Sequence, residues 1–382
     1  MKFVKMAAAA LAAIALLASC KDDKSGLDSN VSKMNIRVDL SALRSMEAPV
    51  PGGTKTAFES LKVIVNDGEV VKVLNADEIA EAASTDGHTF PVLSKPVKVV
   101  VEANGYVADP EITTLQGVAP VDASYDPTTG KDAQKAIFSK KIQLIGSTTT
   151  IGGPTTPSGS KDKIYTATVK PTPDVARVEV CGKIVGQANA TTNKNAFKNI
   201  DVEAVYMNNY LNKKADTKRY FTPSDGNTAF ATDPATALKA EMNDAIAADM
   251  KQKFEEKNVA AAYQIFPTKD TETDFDHIIL KVKLQYDLSV VTNRTQEYEE
   301  GYVTIVKYKD KAASSAIAKF EAGKIYKLDL ADLSEHFKTD DKGNPDTPVT
   351  PDPEHDGANK LTVFVESFTW EAVNITPDGF KK

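Results

Sequence analysis

Met34-Asn35-Ile36-Arg37-Val38-Asp39-Leu40-Ser41-Ala42-Leu43 alternates apolar and polar residues, with Met34, Ile36, Val38, Leu40 and Ala42 on one side and Leu43 breaking the rhythm. A period of two is the signature of a half-buried β-strand. The strand stops at Arg44, and Glu47 to Thr56 is rich in Pro and Gly, which predicts an exposed loop. Working outward, the same kind of segment recurs at 61–65, 70–74, 97–102, 142–145, 164–169, 176–180, 202–207, 278–286, 302–308 and 325–330. These segments are short, rich in Val, Ile and Tyr, and separated by turn residues. The expected fold class is therefore all-β, built from sandwiches.

Two helices are expected within this β framework. A short one covers 76–83, after Asn75. A longer amphipathic one starts with Asp233 as cap and Pro234 in the first turn. Along it Leu238, Met242, Ile246, Met250 and Phe254 recur every four residues, one apolar stripe to lay on a sheet.

The 382 residues suffice for two or three domains, and with 41% hydrophobic and 26% charged residues the chain is not generally disordered. Gly146 to Lys161 reads GSTTTIGGPTTPSGSK, a linker or long hairpin loop. It divides an N-terminal β-domain, 45–160, from a C-terminal one, 161–337. Residues 338–382 begin with a stretch dominated by Asp, Pro, Gly and Thr, expected to be extended and mobile. They continue into a further strand, Leu361 to Trp370, with Leu361, Val363 and Val365 on one face and Phe364, Phe368 and Trp370 on the other. A strand that is apolar on both faces and carried on a long arm needs an acceptor sheet, in its own molecule or a neighbour.

The first twenty residues, MKFVKMAAAALAAIALLASC, read as a secretory signal: Lys2 and Lys5, then an apolar stretch too short to span a bilayer. Leu17-Ala18-Ser19-Cys20 resembles a bacterial lipobox, in which the chain is cut after residue 19 and Cys20 is lipidated. Lys21-Asp22-Asp23-Lys24 resembles an acidic surface-export tag. The net charge of −7 becomes −9 once Lys2 and Lys5 are removed with 1–19. No basic surplus exists to neutralise phosphates, so nucleic acid is not an expected partner.

No enzyme signature emerges. Two cysteines, Cys20 and Cys181, exclude a disulfide framework and a four-sulfur zinc site, and His88, His277, His336 and His355 are dispersed. Ser158 and Lys161 match S-x-x-K within a Gly/Ser stretch rather than a helix. Residues 52–56, GGTKT, lack the spacing of a phosphate loop. Asp352, Glu354 and Asp356 lack EF-hand spacing and read as a solvated acidic linker. Cys181 reads as a small buried hydrophobe and His277 as structural. No catalytic residue, metal or cofactor is expected.

Taken in order, these parts resemble the type V pilins, the fimbrillin-like subunits assembled on the outer membrane by protease-triggered strand exchange. Val97 to Asn104 looks like the family's N-terminal-domain strand ending in Ala-Asn. Val175 to Val180 looks like the strand opening its C-terminal domain. Ala322 to Leu330 looks like its late N-x-I-Y-x-I-x-I strand, with Gly323 and Lys324 where Asn is often found, and Leu361 to Trp370 like its final strand. Residues 187–232 match poorly. The resemblance implies two transthyretin-like sandwiches and a precursor anchored by lipid in the outer membrane. It implies a propeptide, 20–44, cut between Arg44 and Ser45. Loss of the first strand (Met34, Ile36, Val38, Leu40) would open a groove for the donor strand of another subunit, with Phe364, Phe368 and Trp370 as anchors and Leu361, Val363 and Val365 packing opposite. Its implied partners are copies of itself head-to-tail, accessory pilins, and a host or bacterial surface ligand. The alternatives are an anchor or tip pilin, or a monomeric surface-exposed binding lipoprotein.

Overall fold

The computed structural model describes residues 32–39, 60–106, 108, 143–215, 219–221, 243–257, 260–268, 275–354 and 361–369. In chain order the first group of strands is β1 (Ser32–Val38), β2 (Leu61–Val65), β3 (Val70–Leu74), β4 (His88–Val92), β5 (Val99–Ala103), β6 (Leu144–Thr148), β7 (Gly152–Thr155), β8 (Lys163–Val169) and β9 (Thr172–Pro173). The second group is β10 (Ala176–Cys181), β11 (Phe197–Asn208), β12 (Tyr210–Leu211), β13 (Arg219–Tyr220), β14 (Asn243–Ala245), β15 (Ala261–Ile265), β16 (His277–Tyr286), β17 (Tyr298–Asp310), β18 (Lys324–Asp329), β19 (Lys338–Thr339), β20 (Pro345–Asp346) and β21 (Leu361–Thr369).

In the first group, a four-stranded sheet ordered β4-β1-β8-β7 and a five-stranded sheet ordered β3-β2-β5-β6-β9 share one core. The alternation explains the layering. Met34, Ile36 and Val38 from one sheet and Leu61, Val63, Val65, Val99 and Val101 from the other are all buried. Helix α1 (Ala76–Ala82) has a capping box: Asn75 accepts from the Glu78 amide, and the Glu78 carboxylate accepts from the Asn75 amide.

Eight strands of the second group form one continuous ladder, β14-β11-β16-β17-β21-β18-β10-β15, beside two short pairs, β12-β13 and β19-β20. It folds over on itself. The Tyr263 hydroxyl on β15 donates to the Val205 carbonyl on β11, 3.1 Å away, although these strands stand near opposite ends of the order. Their shared core includes Val178, Tyr263, Leu280, Ile305 and Leu328. β16 and β17, long and buried, are its spine.

Several expectations need correction. Of the two readings of 146–161, the hairpin holds and the linker does not: β7 and the following turn lie in it, and β8 returns antiparallel to β7 and joins β1 in the first sheet. The chain passes to the second group only after β9. Gly is required here by close approach, not flexibility. A Cβ on Gly152 would meet Thr166 Oγ1 at 2.7 Å, and one on Gly153 the Ile164 carbonyl at 2.6 Å.

The long helix is also not as expected. Leu238 and Met242 lie outside the described residues, Asn243–Ala245 is strand β14 paired antiparallel to β11, and among the described residues of this stretch Lys251–Glu255 alone is helical (α2). A spacing of four is a multiple of two as well as about one helical turn, so the stripe fits a strand equally. Met250 and Phe254 are buried as the stripe implied.

Residues 338–354, expected to be mobile, are docked. Phe337 is buried, β19 pairs with β20, and Thr350 exchanges backbone hydrogen bonds with Tyr302 on β17. Glu354 is buried, its carboxylate 2.7 Å from His277 Nδ1 and accepting from Asn208 Nδ2 at 3.1 Å.

Asp244 on β14, opposite Val205 on β11, is buried, and burial raises its carboxyl to about 7, partly offset by a Tyr263 hydrogen bond. A carboxyl raised on folding is protonated in the folded chain and ionised in the unfolded one between its ordinary value and about 7, so stability falls across that window as pH rises. Replacing Asp244→Asn is expected to flatten that slope and to stabilise the protein at pH 8, by up to the order of 4 kcal/mol if the whole shift is recovered. Urea denaturation of both proteins at pH 5 and pH 8 checks this.

Candidate strand-replacement groove

β1 is an internal strand. It pairs antiparallel to β4, from Ser32 opposite Val92 to Ile36 opposite His88, and parallel to β8, from Ser32 beside Lys163 to Val38 beside Val169. The Asp39 amide extends the contact to the Val169 carbonyl at 2.8 Å. β4 holds the sheet edge despite Pro91, a position where a strand lacking one amide donor is tolerated.

The inner face of β1 is fully apolar: Met34 and Ile36 are 0% exposed and Val38 is 4% exposed. The outer face is partly covered, which alternation alone does not reveal. Asn35 is buried, and its Nδ2 donates to the Asp86 carbonyl and to Thr89 Oγ1, each at 2.9 Å. The turn after α1 lies against it. A Cβ on Gly87, whose φ is +72°, would meet Asn35 Oδ1 at 2.6 Å and the Ile36 carbonyl at 2.8 Å. Ser84 Oγ accepts from the Asp86 and Gly87 amides and fixes this turn. On either side the outer face opens: Lys33 reaches Asp162 at 2.5 Å, and Arg37 is exposed. Removing β1 would therefore leave two facing ladders, three apolar pockets and one polar notch floored by Asp86, Gly87 and Thr89.

Of the other sequence-derived site residues, Cys20, Leu40, Arg44, Ser45 and Trp370 lie outside the described residues. Leu361, Val363, Phe364, Val365 and Phe368 belong to β21, and the structure places that strand in its own chain. Leu361 to Val365 pair parallel to β17, and Glu366 to Thr369 pair antiparallel to β18. Val365 is 2% exposed in the second core. The expected detached arm is thus, over these residues, a stitch joining two halves of the second sheet.

No cluster of His, Cys, Asp and Glu among the described residues could hold a metal ion. Cys181 is buried, and desolvation pushes its thiol up to about 12, which removes the thiolate that reactivity needs. His277 lies in the buried cluster with Glu354 and Asn209, as its structural reading anticipated. Sequence reasoning missed Asn35, Gly87 and Thr89. The available signal was a lone amide inside an otherwise alternating apolar strand.

No protein-family model matches the chain, and no curated protein matches it. Solved structures are similar in fold. A fimbrilin from Porphyromonas gingivalis is 13% identical, with 91% of this chain and 100% of that chain covered and a TM-score of 0.47. A candidate cell adhesion protein from Bacteroides eggerthii is 13% identical, covering 92% and 98%, with a TM-score of 0.46. One from Parabacteroides distasonis is 11% identical, covering 89% and 99%, with a TM-score of 0.49.

The geometry makes Ile36 the side chain on which the groove closes. Ile36→Ala is expected to cost about 2–5 kcal/mol of stability, the range for emptying a sealed aliphatic site. Arg37→Ala, on the exposed position next to it, is expected to change stability by less than about 0.5 kcal/mol. Paired urea melts decide; equal losses would mean that β1 is not held as described.

Proposed function

We propose that the chain is a structural subunit of a cell-surface fimbrium, exported as a lipoprotein and polymerised when a neighbour's strand replaces β1. The observation that carries this reading is the position of β1. It is an internal strand, supplied from the beginning of the chain, and Arg44 follows it at the head of a Pro/Gly-rich stretch. A cut there would leave β1 attached to its sheet only through non-covalent contacts. An extended segment entering the gap gains hydrogen bonds on both edges and fills alternate pockets, the physics of β-augmentation. The contact is head-to-tail between unlike surfaces, so it propagates as an open filament.

In this reading Cys20 carries the lipid that holds the precursor in the outer membrane, and the cut between Arg44 and Ser45 frees the subunit. Accessory pilins and an adhesion target are the remaining partners. The protein is not an enzyme. A second reading, a monomeric surface lipoprotein that binds a ligand, is favoured by one observation: β21 is satisfied within its own sheet.

Arg44→Ala in the producing cells separates the two. The fimbrial reading expects loss of the detergent-resistant multimer ladder, with the uncut chain accumulating as monomer. Unchanged multimers would overturn it, and a wild-type chain that never forms multimers would favour the monomeric reading.

A further inference from the structure

The two sheets of the first group end in four edge strands, β4 and β7 in one sheet and β3 and β9 in the other. Three of these edges are blunted by proline: β4 carries Pro91, β7 carries Pro154, and β9 is the dipeptide Thr172–Pro173. A proline lacks the amide that an added strand would need. β3 is not blunted. Val70-Val71-Lys72-Val73-Leu74 contains no proline, and its ladder with β2 runs without a bulge from Leu74 opposite Leu61 to Val70 opposite Val65. No described strand pairs with its other side.

The outward side chains of β3 are apolar. Val71 is 44% exposed and Val73 is 62% exposed. Val71 stands opposite Ile64 on β2, and Ile64 opposite Val100 on β5, both half-buried. The row Val71-Ile64-Val100 thus crosses three strands on the outside of the sheet and stops at β3. The neighbouring row runs Val73-Lys62-Glu102, and its charges cancel, with Lys62 Nζ 2.7 Å from the Glu102 carboxylate. Lys72, the one charge on β3, alternates to the other face and is bound 2.7 Å from the Glu78 carboxylate on α1. An edge guarded against association carries a free lysine. This one offers two valines and no unbalanced charge.

The occupant that fits this pattern is a second β3. The strand reads the same in both directions about Lys72, with a valine on each side. Two copies laid antiparallel with Lys72 opposite Lys72 bring Val71 of each opposite Val73 of the other, on the same face of the joined sheet. The row Val100-Ile64-Val71 then continues through Val73 of the second copy, and the contact occurs twice by symmetry. Like charges placed directly opposite repel. Here each Lys72 arrives with its own Glu78, so two cations meet two carboxylates. The two five-stranded sheets become one continuous sheet.

We propose that β3 is a self-association edge, through which the protein pairs antiparallel with a second copy, Lys72 opposite Lys72. The contact leaves β1 in its own sheet, so it goes beyond strand replacement and does not rest on it.

Disulfide trapping in the uncut full chain tests the pairing and its register. With Cys20→Ser, the remaining native thiol is Cys181, which is buried. Lys72→Cys, Val71→Cys and Val73→Cys are introduced singly and each protein is oxidised. Opposed Cα atoms in an antiparallel ladder lie about 4.5–5.5 Å apart, within reach of a disulfide, whereas diagonal neighbours lie roughly 7–8 Å apart and are not. The proposal expects a covalent dimer from Lys72→Cys and from neither of the other single variants, and a mixed dimer when Val71→Cys and Val73→Cys are combined. Adding Val73→Lys to Lys72→Cys is expected to lower the dimer yield about tenfold, because symmetry brings the new charge into the joint twice. A Lys72→Cys chain that stays monomeric would overturn the second copy as the occupant and leave the edge to a strand of another protein. Equal yields from all three single variants would mean random collision and would overturn the pairing, as would a Lys72→Cys dimer indifferent to Val73→Lys. A dimer from Val71→Cys alone or Val73→Cys alone would overturn the register, and with it the proposal.

Discussion

An internal β-strand is held on two edges and one face at once, and this triple constraint is what the first half of the protein is built around. β1 binds β4 and β8 through backbone ladders and closes the core with Met34, Ile36 and Val38. Each backbone bond contributes only about 0.5–1.5 kcal/mol net. The three side chains each contribute roughly 1.5–3 kcal/mol by leaving water. The sum is large because it is simultaneous, and it is lost as a unit. A strand tied in this way is durable while present, and its absence exposes a complete template for another.

The two ends of the chain play complementary parts. β1 comes from the beginning and fills the first sandwich. β21 comes from near the other end and closes the second, pairing with β17 along its first half and β18 along its second. The segment before it is anchored by Thr350 on Tyr302 and by Glu354 in the buried cluster with His277. The second core is therefore completed by its own chain.

Much of this fold was legible because alternation is a local property. Met34, Ile36 and Val38, the valines of β2 and β5, and the long apolar runs of β16 announced their elements and their buried faces. What was not legible depends on distant partners. Asn35 reads as solvent-facing until the turn at Gly87 covers it. Pro91 argues against a strand until β4 is seen to be an edge. Gly152 and Gly153 read as a linker until β8 is found pressed against them. Met250 and Phe254 were recognised as buried, but a repeat of four could not say whether a helix or a strand buries them. Of the candidate site, the first strand was legible and the acceptor of β21 was left open between its own molecule and a neighbour, whereas the polar notch was not legible, since it is set by residues far apart in sequence.

The central claim is that β1 leaves the molecule when the protein takes up its working form. The most direct measurement is the intact mass of the protein sheared from the cells that make it. The account predicts an unlipidated chain that begins at Ser45. A diacyl- or triacyl-modified chain that begins at Cys20 and still carries Met34 to Leu40 would contradict it.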